Sequence, residues 1–291
     1  AVAPRCTSEP IQYVFDWKDG NANWVNENPG IGFNNLSVPH LMLRDAFTRT
    51  NVYQNAYQAW LLGSPTDSSC YCDFVFRNEP SLSLISLGLE DVLYHAYNGG
   101  GNNSPYPMTE LDIFETYYQH LLNNLLAKSG SKAVLLNIPD VTQMPFFTAQ
   151  PLKQYDPQTC EEQAIYIETG TGETRPAKEG DYILMSAQYL LATGSGTVCH
   201  PLPNKLVLDN LEAADVRKRT NAYNQILTNI SQEFNQPSKR VTLINIHKLY
   251  DNVNTGMYVD GVEFTGAHIS GGFYSLDGLM PTARGQALIA N

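Results

Sequence analysis

Four short apolar runs, separated by helical patterns, constrain the fold more than any other feature of this sequence. They occupy residues 11–15, 83–87, 133–138 and 241–246. Continuous apolar runs of this length favour strands that are buried on both faces of a parallel sheet. The alternation of such strands with helices predicts an α/β fold with three layers, α/β/α, and right-handed crossovers.

Two long segments between these runs carry the helical period. Residues 109–127 and 210–234 place apolar side chains three and four positions apart, as an amphipathic helix requires. Thr109, which acidic residues follow, is predicted to cap the first of these helices. Residues 142–208 break the alternation with six prolines. They are predicted to form an irregular insertion over one end of the sheet, with one hairpin and a short helix near 183–191.

Composition narrows the classes of partner and site. The chain has 18 basic and 29 acidic residues and a net charge of −11, which argues against nucleic acid or anionic lipid as the main partner. Because no apolar run reaches about 18 residues, no transmembrane segment is predicted. No basic-then-apolar leader begins at Ala1, which predicts a mature, trimmed or incomplete N-terminus. Since no linker or repeat divides the sequence, a single domain over residues 1–291 is expected.

The five cysteines do not have the spacing of zinc ligands. They predict either one or two disulfides with a spare thiol, or a set of inert buried thiols. Neither a metal site nor a cofactor is predicted.

The C-terminal segment carries the most specific signal. Residues 271–285 read Gly-Gly-Phe-Tyr-Ser-Leu-Asp-Gly-Leu-Met-Pro-Thr-Ala-Arg-Gly, and this block resembles the terminal block of the SGNH (GDSL-like) ester hydrolases. The resemblance is greatest to the variety found in Bacteroidota-type secreted and envelope proteins. Residues 34–40, 86–93, 136–147 and 201–224 resemble further blocks of that family in the same order. The resemblance implies a flavodoxin-like SGNH-hydrolase fold with a central parallel sheet and an inserted lid region.

The resemblance also implies where catalytic residues would lie. Such enzymes use a serine nucleophile, a histidine base, an aspartate three residues before that histidine, and an oxyanion hole made by a glycine N–H and an asparagine. At the matching positions this sequence has Trp17 for the serine, Met280 for the histidine, His40 for the glycine and Glu90 for the asparagine. Only the aspartate is kept, as Asp277, and no Gly-Asp-Ser triplet occurs.

Several of these residues have two interpretations at the level of sequence. Asp277 is either a retained triad acid or a carboxylate that stabilises its own turn. Glu90 and Asp91 either bind a cation or sugar hydroxyls, or form a solvated loop pair. His40 and His268 are either substitute bases near the site or ordinary loop histidines.

The loss of four catalytic positions on a recognisable framework predicts a catalytically degenerate protein. It would be secreted or displayed on the cell surface or outer envelope, and reused as a binding, scaffold or assembly component. Its partners would be other envelope or extracellular proteins, or a glycan or acyl-ester ligand. The alternative is an active carboxylic-ester hydrolase, a lipase/acylhydrolase or carbohydrate esterase, whose nucleophile segment is missing or replaced. A serine hydroxyl within hydrogen-bond reach of a histidine near Asp277 would favour the alternative.

Overall fold

The computed structural model describes residues 35–48, 69–101, 104–155 and 160–291. The helices of this part are α1 (Leu43–Ala46), α2 (Tyr71–Arg77), α3 (Leu89–Tyr97), α4 (Leu111–Leu125), α5 (Pro145–Thr148), α6 (Gln188–Ala192), α7 (Asn210–Glu233), α8 (Ile246–Thr255) and α9 (Ala283–Ala290). The strands are β1 (Leu82–Ile85), β2 (Lys132–Leu136), β3 (Lys153–Tyr155), β4 (Glu162–Ala164), β5 (Tyr166–Glu168), β6 (Thr174–Pro176), β7 (Tyr182–Ile183), β8 (Val207–Leu208), β9 (Val241–Ile244), β10 (Met257–Val259) and β11 (Val262–Phe264). Short 3-10 helices occupy Val141–Gln143, Met185–Ala187 and Asn204–Leu206.

The central sheet is parallel and has the strand order β1, β2, β9. Leu84 lies opposite Val134, and Val134 lies opposite Thr242. Three of the four predicted runs are therefore strands, and the prediction of an α/β fold with a parallel sheet is confirmed. The fourth run, residues 11–15, lies outside the described residues.

One face of the sheet packs on the two long helices. Both predicted helices are confirmed, with slightly shorter bounds, as α4 and α7. The rings of Phe114 on α4 and Tyr223 on α7 stack with their centroids 3.9 Å apart, and both side chains are fully buried. The Tyr223 hydroxyl donates a hydrogen bond to the Thr109 carbonyl oxygen. This contact joins the start of α4 to the middle of α7 beneath the sheet.

The opposite face of the sheet is exposed at several apolar positions. Leu84 is 70% exposed, Leu82 is 63% exposed and Ile244 is 44% exposed. The expectation that these strands are buried on both faces is therefore wrong for β1 and β9. Alternate side chains of a strand point to opposite faces, so an unbroken apolar run does not by itself show that both faces are covered.

The insertion contains more strand than the sequence predicts. Residues 142–208 hold three antiparallel pairs, β3 with β4, β5 with β6, and β7 with β8, where one hairpin is predicted. These strands have only two or three residues, too few to show a period of two in the sequence. The predicted short helix is confirmed as α6. Side chains of the insertion form a small second core that consists of Ile165, Ile167, Ile183, Ala187, Leu202 and Val207.

An ion pair joins the insertion to the start of α7. Arg175 donates to both carboxylate oxygens of Asp181 over 2.6 and 2.9 Å, and Asp181 has no exposed side-chain surface. The Asn210 backbone N–H donates to the same carboxylate over 2.9 Å. Burial raises the pKa of Asp181, but the hydrogen bonds from Arg175 and the backbone outweigh burial and leave that pKa lowered. The charged pair therefore fixes the insertion against the helix terminus.

The two long helices begin differently. Asp209 caps α7 by accepting hydrogen bonds from the N–H groups of Leu211 and Glu212, and the Glu212 side chain accepts a hydrogen bond from the Asp209 N–H. This is a complete capping box. In α4 the N-cap residue is Glu110, without a side-chain cap. The prediction that Thr109 caps this helix is wrong, because the Thr109 hydroxyl bonds instead to Asp91.

Candidate functional site

A tight turn after β1 places two acidic residues at the carboxyl end of the sheet. Gly88 has a φ of +105°, a left-handed conformation that favours glycine. A Cβ at this position would lie 2.8 Å from the Ile138 side chain and 3.0 Å from the Phe114 ring, so a larger residue would displace these side chains and would also be strained by the positive φ. The turn puts Glu90 and Asp91 in the first turn of α3. The partial positive charge of a helix N-terminus favours carboxylates there.

Asp91 is part of the framework of this site. Its Oδ2 accepts a hydrogen bond from the Leu43 N–H over 2.8 Å, and its Oδ1 accepts one from the Thr109 hydroxyl over 2.5 Å. Burial raises the pKa of Asp91 to about 6, although these hydrogen bonds and Arg44 act to lower it. Both carboxylate oxygens are thus used to fasten α1 and the start of α4 to α3.

Glu90 differs from Asp91 because its carboxyl group has an unused oxygen. Glu90 Oε2 is buried and has no hydrogen-bond partner. Burial, with a smaller contribution from Asp91, raises the pKa of Glu90 to about 7. A buried polar atom without a partner costs free energy, and such atoms are rare in folded proteins. The atom therefore requires a physical explanation.

Aromatic rings pack together one helical turn after Glu90. Tyr94 follows Glu90 by four residues, so both lie on one face of α3. The Tyr94 ring stacks on Tyr106 with centroids 5.1 Å apart and contacts the His40 ring at 5.6 Å. Tyr106 is 41% exposed, and His40 is exposed as well.

Asp277, the predicted triad acid, lies in a turn whose groups bond to one of its two carboxylate oxygens. Oδ1 accepts hydrogen bonds from the Ser275 hydroxyl over 2.6 Å, the Leu279 N–H over 2.8 Å and the Met280 N–H over 2.9 Å. Ser275 also donates its backbone N–H to the Met280 carbonyl over 2.7 Å. This geometry is that of an aspartate that stabilises its own turn.

The Asp277 turn lies beside the same face of α3. The Phe146 N–H donates to the Gly278 carbonyl over 3.0 Å, and the Phe146 ring stacks on Tyr97 with centroids 4.6 Å apart. Burial, and secondarily the charge of Asp277, raise the pKa of Tyr97. Tyr97 is one helical turn beyond Tyr94. The structure therefore gathers three predicted site residues, His40, Glu90 and Asp277, around one helix face.

The other predicted site residues do not complete a catalytic set. Met280 presents a thioether three residues after Asp277. His268 Nε2 lies 3.1 Å from the Leu276 carbonyl oxygen, next to the Asp277 turn. Between residues that the structure describes, no serine hydroxyl is hydrogen-bonded to a histidine. Trp17 lies outside the described residues.

Sequence reasoning missed a second acidic site at the start of α7. Glu212 accepts hydrogen bonds from Asn204 and the Asp209 N–H, and burial raises the pKa of Glu212 to about 7. The Asp209 carboxylate also accepts the Gly170 N–H over 3.0 Å. The signal that could have revealed this site is the Asp-x-x-Glu spacing of a capping box. Because its groups are all paired, the site is structural.

Metal ligands, membrane-spanning helices and thiols do not indicate a further functional site in the described residues. No group of three His, Cys, Asp or Glu side chains suited to a metal ion occurs in the described ranges. None of the helices described above combines the length and apolar character needed to cross a bilayer.

Cys70, Cys72 and Cys199 are free thiols, while Cys160 is disulfide-bonded.

Comparisons with known protein families, curated proteins and solved structures give no match to this chain. Function must therefore be argued from the residues and their geometry.

Proposed function

We propose that this chain is a catalytically degenerate SGNH-hydrolase-like protein with a flavodoxin-like arrangement of its sheet. In this proposal it is a secreted or cell-surface component that binds other envelope or extracellular proteins, or a glycan or acyl-ester ligand. The ordered blocks of the sequence and the parallel sheet β1–β2–β9 support this assignment. The ends of β1 and β2 and the C-terminal block meet around α3, where a ligand of such a fold binds.

The Asp277 turn is the observation that carries the non-catalytic part of the proposal. In a hydrolase triad the acid orients a histidine, and the histidine takes the proton of a serine. Here the Asp277 carboxylate accepts three hydrogen bonds from its own turn, and Met280 stands where the histidine is expected. A thioether does not act as a general base.

The oxyanion position gives independent support. A tetrahedral intermediate needs hydrogen-bond donors aimed at its negative oxygen. Glu90 at this position supplies a carboxyl group with a pKa of about 7, and its ionised form repels an anion. A binding protein does not need such donors, so the substitution is compatible with binding and opposed to acyl transfer.

The test is ester turnover by the full chain. We expect 4-nitrophenyl acetate to hydrolyse at the rate of buffer alone, and Asp277→Asn to leave this rate unchanged. Asp112→Asn, a change at an exposed position on α4, serves as the matched control. Turnover that Asp277→Asn abolishes and Asp112→Asn preserves would overturn the proposal in favour of an active carboxylic-ester hydrolase.

A further inference from the structure

A cleft of about 390 Å³ lies between the C-terminal parts of α4 and α7 and the segment that leads into β9. We call it the α4–α7 cleft. Its polar lining consists of Gln119, Asn123, Glu233, Gln236, Ser238 and Arg240. Because the strands are parallel and β9 begins directly after Arg240, the cleft lies at the amino ends of the strands, opposite the end that carries Glu90. Its volume falls within the range of small-molecule sites, about 300–1,000 Å³.

Hydrogen bonds hold the walls of the cleft in place. The Arg240 guanidinium donates to the carbonyl oxygens of Leu126 and Lys128, which follow α4. Asn235, just beyond α7, accepts the backbone N–H groups of Arg240 and Val241 over 2.8 Å each. The end of α4, the end of α7 and the start of β9 are therefore fastened to one another. A cleft that is already formed loses less conformational entropy when a ligand binds.

The neutral polar side chains of the lining are uncommitted. Those of Gln119, Asn123, Gln236 and Ser238 have no hydrogen-bond partner among the residues that the structure describes. Gln119 and Asn123 are four positions apart on α4 and so share one face of the helix. Side-chain amides and hydroxyls both donate and accept hydrogen bonds. They therefore match a ligand whose own groups do both, as sugar hydroxyls do.

The remaining lining groups narrow the class of ligand. Glu233 and Arg240 carry opposite charges, and neither forms an ion pair within the described ranges. Because these charges balance, the cleft does not favour a strongly charged ligand. Each can still form a charge-assisted hydrogen bond with a hydroxyl group. Phe234 adds apolar aromatic surface, which suits the C–H face of a sugar ring.

We propose that the α4–α7 cleft binds a sugar ring of a neutral glycan. The neutral side chains hold its hydroxyl groups, the two charged groups strengthen these contacts, and Phe234 contacts its apolar face. This inference goes beyond the proposed function, because it concerns a second site at the other end of the sheet. It holds whether or not the chain is catalytic.

Methyl glycosides of glucose, galactose, mannose and N-acetylglucosamine are the probes, and binding to the full chain is measured by amide NMR titration. We expect at least one of them to bind with a Kd on the order of 1 mM. The shift changes should lie in residues 119–128 and 233–240. Glycerol has adjacent hydroxyl groups but no rigid ring, so it should bind at least about tenfold more weakly.

Two variants with matched controls locate the site. Asn123→Ala and Gln236→Ala change exposed side chains and should each weaken glycoside binding about fivefold by removing hydrogen bonds. Asn124→Ala and Gln232→Ala change the same residue types at exposed positions outside the lining, and they should leave binding unchanged.

The absence of saturable binding by all four glycosides would overturn the proposal, as would equal binding of glycerol. Unchanged binding in both cleft variants would place the sugar elsewhere and overturn it too. Saturable binding of glycine in the cleft, without binding of any glycoside, would show a site for a zwitterion instead. Ester turnover would refute the non-catalytic function without touching this inference, and failed glycoside binding would refute this inference alone.

Discussion

Replacing Glu90 by glutamine should stabilise the fold, and the gain should depend on pH. Burial raises the pKa of Glu90 from 4.5 to about 7 in the folded chain. Each pKa unit corresponds to about 1.4 kcal/mol, so the ionised carboxylate costs about 3 kcal/mol above the folded pKa. Glutamine has nearly the same shape and cannot ionise, so it avoids this cost.

The sign of the effect follows from proton binding. Between pH 4.5 and about 7 the folded chain keeps a proton on Glu90 that the unfolded chain has lost. Raising the pH through this window therefore lowers the stability of the natural chain. The advantage of Glu90→Gln should be near zero at pH 4.5 and should reach its full size above about pH 7.

Urea unfolding at about pH 5 and about pH 8 measures this difference. Glu179→Gln, at an exposed position in the insertion, should show no comparable gain at either pH. An advantage of Glu90→Gln that is equal at both pH values, or larger at the lower one, would refute the argument from burial.

Three further substitutions test the framework by urea unfolding. Phe114→Ala should cost about 3–5 kcal/mol, because it removes a buried ring stacked on Tyr223; a cost below about 1 kcal/mol would contradict this packing. Arg175→Met should cost about 3 kcal/mol by leaving the Asp181 carboxylate buried and unpaired, and an unchanged stability would show that this pair is not formed. Gly278→Ala should cost at least about 1 kcal/mol, since φ is +69° and a Cβ would lie 2.7 Å from a backbone nitrogen; a stabilised variant would contradict the turn geometry.

The elements that could be predicted from the sequence are those whose apolar pattern extends over five or more residues. Runs 83–87, 133–138 and 241–246 were recognisable as strands because each is short, rich in Leu, Ile and Val, and lies between helical patterns. The insertion was only partly predictable, because two- and three-residue strands are set by contacts with distant segments. One local signal was overlooked: Asp260-Gly261, with positive φ at both residues, forms the turn between β10 and β11.

The candidate site was predictable as a location but not as chemistry. Sequence blocks placed Glu90 and Asp91 after the first described strand, where the structure has them. They could not show that Asp91 is fully paired while Glu90 Oε2 is not, because burial and pairing depend on Leu43 and Thr109, far away in the chain. The two interpretations of Asp277 likewise differ only in which groups reach its carboxylate.

The central claim is that this chain does not carry out serine acyl chemistry. Intact-mass spectrometry of the full chain after treatment with a fluorophosphonate tests it most directly, because this reagent forms a stable adduct only with an activated serine. The account predicts an unchanged mass under conditions in which a control serine hydrolase is fully labelled. A single-site adduct, lost when the chain is unfolded before treatment, would contradict the account and identify the nucleophile.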